Sequence, residues 1–218
     1  PEARELAVVV KGQDLPAHMP EVKRSLGLIY AVNPFGADHQ SSEHDPAYEG
    51  DYETYAARMA QLDLIDPQEP GSLGPEKVRF ALYTEQFYSM LDSVNVCQFV
   101  YGPAWHLYAP NQLVDMLNAV TGWDASLWEL MKVGERRLNM MRAFNAREGF
   151  TREDDVLPPK LARARLGGPS DGVSVPPEQI EQAKDLYYAM CGWDELGVPS
   201  RVKLEELGIG WVADELGC

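Results

Sequence analysis

The stretch PEKVRFALYTEQFYSMLDSVNVC, residues 75–97, decides the fold class. Pro75 suits the first position of a helix, where its missing N–H is not needed. Val78, Leu82, Phe87, the adjacent Met90 and Leu91, and Val94 then recur in a pattern that fits a helical stripe better than the alternation of a strand. The helix delivers Asp92 and Cys97 at, or just beyond, its C-terminal end. No Gly or Pro interrupts it, and the following Gly102-Pro103 pair reads as a turn.

Further along the chain the same reading repeats. Residues 111–120 form a helix stopped by Gly122. Asp124 is the expected cap of another, with Leu127, Leu130, Met131, Leu138, Met141 and Phe144 on one side. Residues 178–190 are helical up to Gly192, and a short helix over 200–207 ends at Gly208. Asp45-Pro46 reads as the cap and first position of an earlier helix. TREDDVLPPKLARARLGGPSDGVSVPP, residues 151–177, is too rich in Pro and Gly for continuous structure. ELAVVVKG, residues 5–12, is the one strand-like run. Leu26 to Val32 is a short apolar run closed by a turn at Asn33-Pro34 and Phe35-Gly36. The expectation is a mostly α, multihelical chain with one short strand near its start.

Composition narrows the function classes. The 218 residues are 45% hydrophobic, with five Trp and ten Tyr, enough for a substantial core. Nineteen basic against thirty-four acidic side chains give −15, a surface that repels phosphate backbones and anionic lipid, so no nucleic acid and no membrane are expected as partners. Absence of a long apolar run or signal-like leader points to the cytoplasm. Cys97, Cys191 and Cys218 are too few and too scattered for a disulfide framework. A strand-like run right after Pro1, with no methionine, suggests a piece of a longer polypeptide.

Two clusters could carry chemistry. GADHQSSEHD, residues 36–45, gathers His39, His44 and Asp45 near a turn, a pattern open to a divalent metal, to an acid–base histidine, or to ordinary loop residues. Cys97, with no CxxC neighbour, reads from the residues alone first as a small structural hydrophobe and only second as one ligand of a metal or cluster. GERRLNMMRAFNAREG, residues 134–149, reads as a solvated charged face over a Leu/Met core face, with Arg137, Arg142, Arg147 and Glu148 in surface ion pairs of little energetic weight.

Three separated motifs add a resemblance. GERRLNMMRAFNAREGFTREDDVLPPK (134–160), YYAMCGWDELGVPSRVKLEELGI (187–209) and VVKGQDLPAHMPEVKRSLGLIYAVNPFGADHQ (9–40) are similar, in order, to segments of the tungsten-pterin aldehyde:ferredoxin oxidoreductase family. The resemblance implies the C-terminal, all-helical region of such an enzyme, packed as two helical subdomains over 1–105 and 106–218. DSVNVC, residues 92–97, stands where the family carries Asp-x-x-Gly-Leu-Cys. By that match Asp92, Asn95 and Val96 belong to the pterin-binding segment, and Cys97 is a ligand of a [4Fe–4S] cluster. Asn95 replaces the usual glycine and Val96 the usual leucine; Asn tolerates positive φ better than most residues.

The same match makes His39 the active-site histidine and places His18, in LPAHMP, toward the substrate pocket. His44 and Asp45 match some members only, and Cys191 and Cys218 match no ligand motif. The implied cofactors are a tungsten-bis-pterin (tungsten or molybdenum) and the cluster, both completed by upstream residues not in this chain. The implied partners are that upstream part, a ferredoxin or electron-transfer subunit and a small aldehyde, and a homodimer is compatible. Two alternatives stand beside this reading. One is a helical structural or interaction module of the same family without redox activity. The other is a His/Asp metal hydrolase built on His39, His44 and Asp45.

Overall fold

A computed structural model describes residues 6–45, 52–66, 68–105 and 107–217. Among them the architecture is mostly α, as expected, with one two-stranded sheet. The strand-like run yields only β1 (Val9–Val10), because the chain reverses at once. Lys11 and Gly12 both have positive φ, 49° and 80°, and close a two-residue hairpin onto β2 (Gln13–Asp14), with Val9 opposite Asp14 and Val10 opposite Gln13.

The apolar run 26–32 lies within a helix, α1 (Arg24–Val32), every residue of which is buried. A helix buried on all sides has no polar face, so its sequence carries no period. Pro34 ends it. Asn33 Oδ1 then accepts the Phe35 N–H at 2.8 Å, and Gly36 turns the chain at φ 109°. α2 (Tyr52–Met59) follows. The Pro46 start expected for this region lies outside the described residues. Asp45 itself is fully buried: its carboxylate accepts Ser25 N–H in the first turn of α1 at 3.2 Å and pairs with Lys77 at 2.6 Å.

α3 (Pro75–Ser93) starts at Pro75 and is the central element. One side meets Leu28, Ile29, Val32, Ile180, Tyr187 and Trp193; the other meets Tyr55, Met59, Leu62, Leu113 and Leu130. Serving both clusters leaves it almost no solvated face, so Lys77, Thr84, Glu85, Gln86 and Ser89 are buried along with the apolar stripe. Past α4 (Gln98–Tyr101) come α5 (Pro110–Thr121), stopped by Gly122 at φ 74°, and α6 (Leu127–Arg147). The cap of α6 is Ser126 rather than Asp124. Ser126 Oγ accepts the Glu129 N–H at 3.2 Å while the Glu129 carboxylate accepts the Ser126 N–H at 2.8 Å, satisfying two helix-end donors at once. α7 (Pro177–Cys191) ends at Gly192, and α8 (Arg201–Glu206) is capped by Ser200. A short α9 (Trp211–Leu216) completes the described chain.

α6 crosses α3 closely because residue 134 is glycine: a Cβ there would sit 1.9 Å from the Gln86 carbonyl oxygen. Ser89 Oγ donates to the Gly134 carbonyl at 3.0 Å across the same crossing. The charged face expected over 134–149 is corrected in part. Arg147–Glu148 is an exposed pair at 3.2 Å, but Arg142 is fully buried. Its guanidinium lies 2.9 Å from the Asp155 carboxylate and donates from Nε to the Gly197 carbonyl at 2.6 Å. Asp155 is also paired with Lys11 at 2.6 Å and accepts the Tyr188 hydroxyl, while Lys184 donates to its carbonyl at 2.8 Å. This hub ties the hairpin, α6, α7 and the 151–177 segment together.

Candidate functional site

Two chain turns frame the site. The first follows α1. Asp38 accepts the Gln40 N–H at 2.9 Å and the Ser41 hydroxyl at 2.7 Å, fixing the turn that presents His39. The His39 and His18 rings stack with centroids 4.7 Å apart and planes 27° apart. His44 meets His18 edge-on at 4.7 Å and lies 6.0 Å from His39. Three imidazoles therefore form one cluster: His39 and His18, which the family match names as catalytic, and His44, which it matches in some members only. Lys23, which carried no signal in the sequence, reaches into it: its Nζ is 2.7 Å from His18 Nδ1 and 3.1 Å from His44 Nδ1. Burial, then the nearby ammonium and His39, lower the His18 pKa. Burial holds His44 down at about 4.

The second turn follows α3. Asn95 adopts φ 60°, and its N–H bonds to the Asp92 carbonyl at 3.2 Å while the Val96 N–H bonds to Leu91 at 3.1 Å. A left-handed residue is what the family's glycine provides there, and Asn supplies it at modest cost. Val96 packs partly against the second core cluster. Cys97 is the N-cap of α4 and is exposed. The Asp92 carboxylate, 64% exposed, pairs with Arg137 on α6 at 3.1 Å.

A cleft of about 200 Å³ joins the two turns. Asp38 and Ser41, on either side of His39, line one wall; Glu85, Ser89 and Asp92 of α3 and Arg137 of α6 line the other. The lining includes Asp92 but not the side chains of His18, His39, Asn95, Val96 or Cys97. Glu85 is the cleft residue that sequence reasoning missed. It is buried, its Oε2 accepts the Tyr187 hydroxyl, and its Oε1 has no hydrogen-bond partner. Burial pushes its pKa up to about 8. Glu43, beside His44, is pushed by burial to about 7 although it accepts N–H groups from His44 and Ala104 and the Tyr88 hydroxyl. Glu85 sits in no recognisable motif, while Glu43 lies inside the 36–45 stretch without being singled out there. Among the described residues no three His, Cys, Asp or Glu side chains gather as a metal-ligating group.

An exposed thiol and an exposed carboxylate thus share one turn, and the turn that carries His39 forms the opposite wall of the cleft. The family profile "Aldehyde ferredoxin oxidoreductase, domains 2 & 3" matches residues 2–209, and the chain belongs to that family. The tungsten-containing aldehyde ferredoxin oxidoreductase of Pyrococcus furiosus is 30% identical over 207 residues, 94% of this chain and 31% of that protein. The aliphatic sulfonate oxidoreductase WOR-like subunit of the same organism is 28% identical over 213 residues, covering 94% of this chain and 28% of its own length. This chain thus spans about a third of the curated relatives it matches. Its fold is shared with a chain of the active site complex BamBC of benzoyl coenzyme A reductase, solved with 1,5-dienoyl-CoA. The TM-score is 0.67 at 19% identity, over 94% of this chain and 33% of the other. The comparisons support an oxidoreductase-type fragment. Among the described residues no helix is long and apolar enough to cross a membrane.

Proposed function

We propose that this chain supplies the helical domains of a tungsten-pterin, iron–sulfur oxidoreductase that converts an aldehyde and water to a carboxylic acid, two protons and two electrons, the electrons leaving singly to a ferredoxin-type acceptor. The observation that carries the reading is the 92–97 turn. It holds a carboxylate and a thiol, both open to solvent, in the family's order, and it borders a cleft whose far wall holds the His39 turn.

The residues present fit the implied groups in chemistry. Cys97 as thiolate would ligate one iron of a [4Fe–4S] cluster, the other three cysteines coming from outside this chain. Asp92 would accept a pterin ring N–H through the oxygen not engaged by Arg137, a charge-assisted bond. Asn95 and Val96 shape the turn that presents both groups. The orphaned Glu85 Oε1 in the same cleft is a polar atom awaiting a partner. When bound, the metal and its pterins would supply the two-electron chemistry. His39, backed by the stacked His18, would hydrogen-bond the aldehyde oxygen and move the proton released as water adds.

The test is anaerobic purification of the full-length protein with tungsten, molybdenum and iron counted and an aldehyde panel assayed. Stoichiometric tungsten or molybdenum, iron near four per chain by the cluster type, and reduction of a low-potential acceptor by any aldehyde are expected. A folded protein without iron overturns the Cys97 assignment.

A further inference from the structure

Lys23 occupies a place that no motif assigns. It is the N-cap residue of α1, and its ammonium sits between two imidazoles rather than against a carboxylate. No acidic side chain pairs with it among the described residues. Burial lowers the Lys23 pKa, and Asp45, whose charge opposes that shift, is engaged by Lys77 at 2.6 Å and by Ser25. The other charged or titratable groups around the cluster are likewise committed. Asp38 accepts from Gln40 and Ser41, and Glu43 accepts from His44 N–H, Tyr88 and Ala104. The Tyr30 hydroxyl, from α1, donates to the His18 carbonyl at 2.9 Å.

Hydrogen-bond direction then fixes the protons. An ammonium has three donors and no acceptor, so Nδ1 of both His18 and His44 must carry a lone pair. Each of these rings is therefore neutral with its proton on Nε2. For His44 the other end agrees, since Nε2 lies 2.8 Å from the His39 carbonyl, an acceptor that needs a donor. That bond also ties the His44 ring to the backbone of the residue proposed to act on substrate, and the His18 ring stacks on its imidazole.

We propose that Lys23 is a positioning residue of the site: by donating to both Nδ1 atoms it locks His18 and His44 as neutral Nε2–H tautomers, orients His39 through them, and is itself the one cation of the cluster. Burial and the ammonium lower the pKa of both supporting rings, which is the direction such a lock requires. The inference deepens the role proposed for His39 and His18, but the proton positions it specifies exist whether or not that role is correct.

The experiment is long-range 1H–15N correlation of the histidine rings in the 15N-His-labelled 218-residue chain between pH 5 and 9, for wild type, Lys23→Met and Lys23→Arg. Wild type is expected to show His18 and His44 neutral, with unprotonated Nδ1 and protonated Nε2, at pH 7. Lys23→Met is expected to release both into mixed tautomers and to raise the His18 titration midpoint by about one unit, the scale of a lost neighbouring charge. Lys23→Arg, which keeps a donor cation, should restore most of the wild-type pattern. An Nδ1–H tautomer for either ring in wild type overturns the proposal even if Lys23→Met fails to fold. So do spectra unchanged by Lys23→Met. In the full-length enzyme the same variant should move the acid limb of the pH–rate profile. A lock seen by NMR with no aldehyde activity would sink the enzymatic reading and leave the lock standing.

Discussion

The Arg142–Asp155 hub and the Lys23 imidazole cluster are both built from buried or half-buried polar groups, and they differ in one respect. In the hub each cation meets a carboxylate or carbonyl: Lys11, Arg142 and Tyr188 converge on Asp155, and Gly197 and Leu196 carbonyls take the rest of the guanidinium. In the cluster the cation meets neutral rings, and in the adjoining cleft Glu85 Oε1 meets nothing. Satisfied polar networks rigidify a fold, while unsatisfied ones are retained where a ligand or a proton is to arrive. The first region therefore positions the helices, and the second is the region on which the proposed function draws.

The largest effect expected from breaking this contrast is at the hub. Arg142→Met removes the guanidinium and leaves Asp155 buried with part of its charge uncompensated, a loss of about 3–5 kcal/mol in urea unfolding. Gly134→Ala should follow at about 1–3 kcal/mol or more, because the new methyl meets backbone at the α3–α6 crossing rather than a flexible side chain. A loss below about 0.5 kcal/mol at either site means the helices repack freely and the hub has no positioning role. Cys97→Ser, by contrast, should leave the unfolding midpoint of the isolated chain unchanged within about 0.5 kcal/mol, since the thiol is exposed. In the full-length protein it should abolish the [4Fe–4S] electron paramagnetic resonance signal.

pH sharpens the comparison next. Glu85 and Glu43 have folded pKa values pushed up to about 8 and about 7, above the ordinary carboxylate value. Below pH 4.5 folded and unfolded chains are both protonated at these positions and nothing is lost. As pH rises the unfolded chain releases its protons first, so ΔG of unfolding falls until the folded groups also ionise. His44, held down at about 4, has the opposite slope between pH 4 and 6.5, where the unfolded chain binds the extra proton. The two trends oppose each other below pH 6.5; above it His44 no longer contributes, while the glutamates still do. Stability should therefore decline between pH 6.5 and 8, and Glu85→Gln should flatten part of that decline. A stability that rises over this interval contradicts the buried, protonated state of Glu85.

The same contrast explains what was legible in the sequence. α3, α5 and α7 could be bounded because their ends are marked locally, by Pro75, by Gly122 and by Gly192. α1 could not, since total burial erases amphipathic periodicity. Arg142 read as a surface charge because its partner lies on a loop thirteen residues away and its other contacts come from 188 and 196–197. Asp92 and Cys97 enter the proposed site through their place in a family pattern, and His39 through the same pattern beside its GADH turn. Lys23 and Glu85 were invisible because a lone Lys before an apolar run and a Glu within a helix look like solvated residues. Only the tertiary fold shows Lys23 set between two imidazole nitrogens and Glu85 buried with one carboxylate oxygen unbonded.

The smallest expected effect belongs to the pair that the sequence placed correctly. Arg147 and Glu148 form an exposed contact at 3.2 Å at the end of α6, with Arg147 also over the Phe144 ring at 5.1 Å. Screening by solvent and the cost of ordering two long side chains leave such a pair about 0–1 kcal/mol. Arg147→Ala should shift the unfolding midpoint by no more than about a third of the Arg142→Met effect, measured side by side in urea. Two arginines five residues apart on one helix would then differ severalfold in consequence. If they proved equal, burial at 142 would not be what separates a structural charge from a solvated one here.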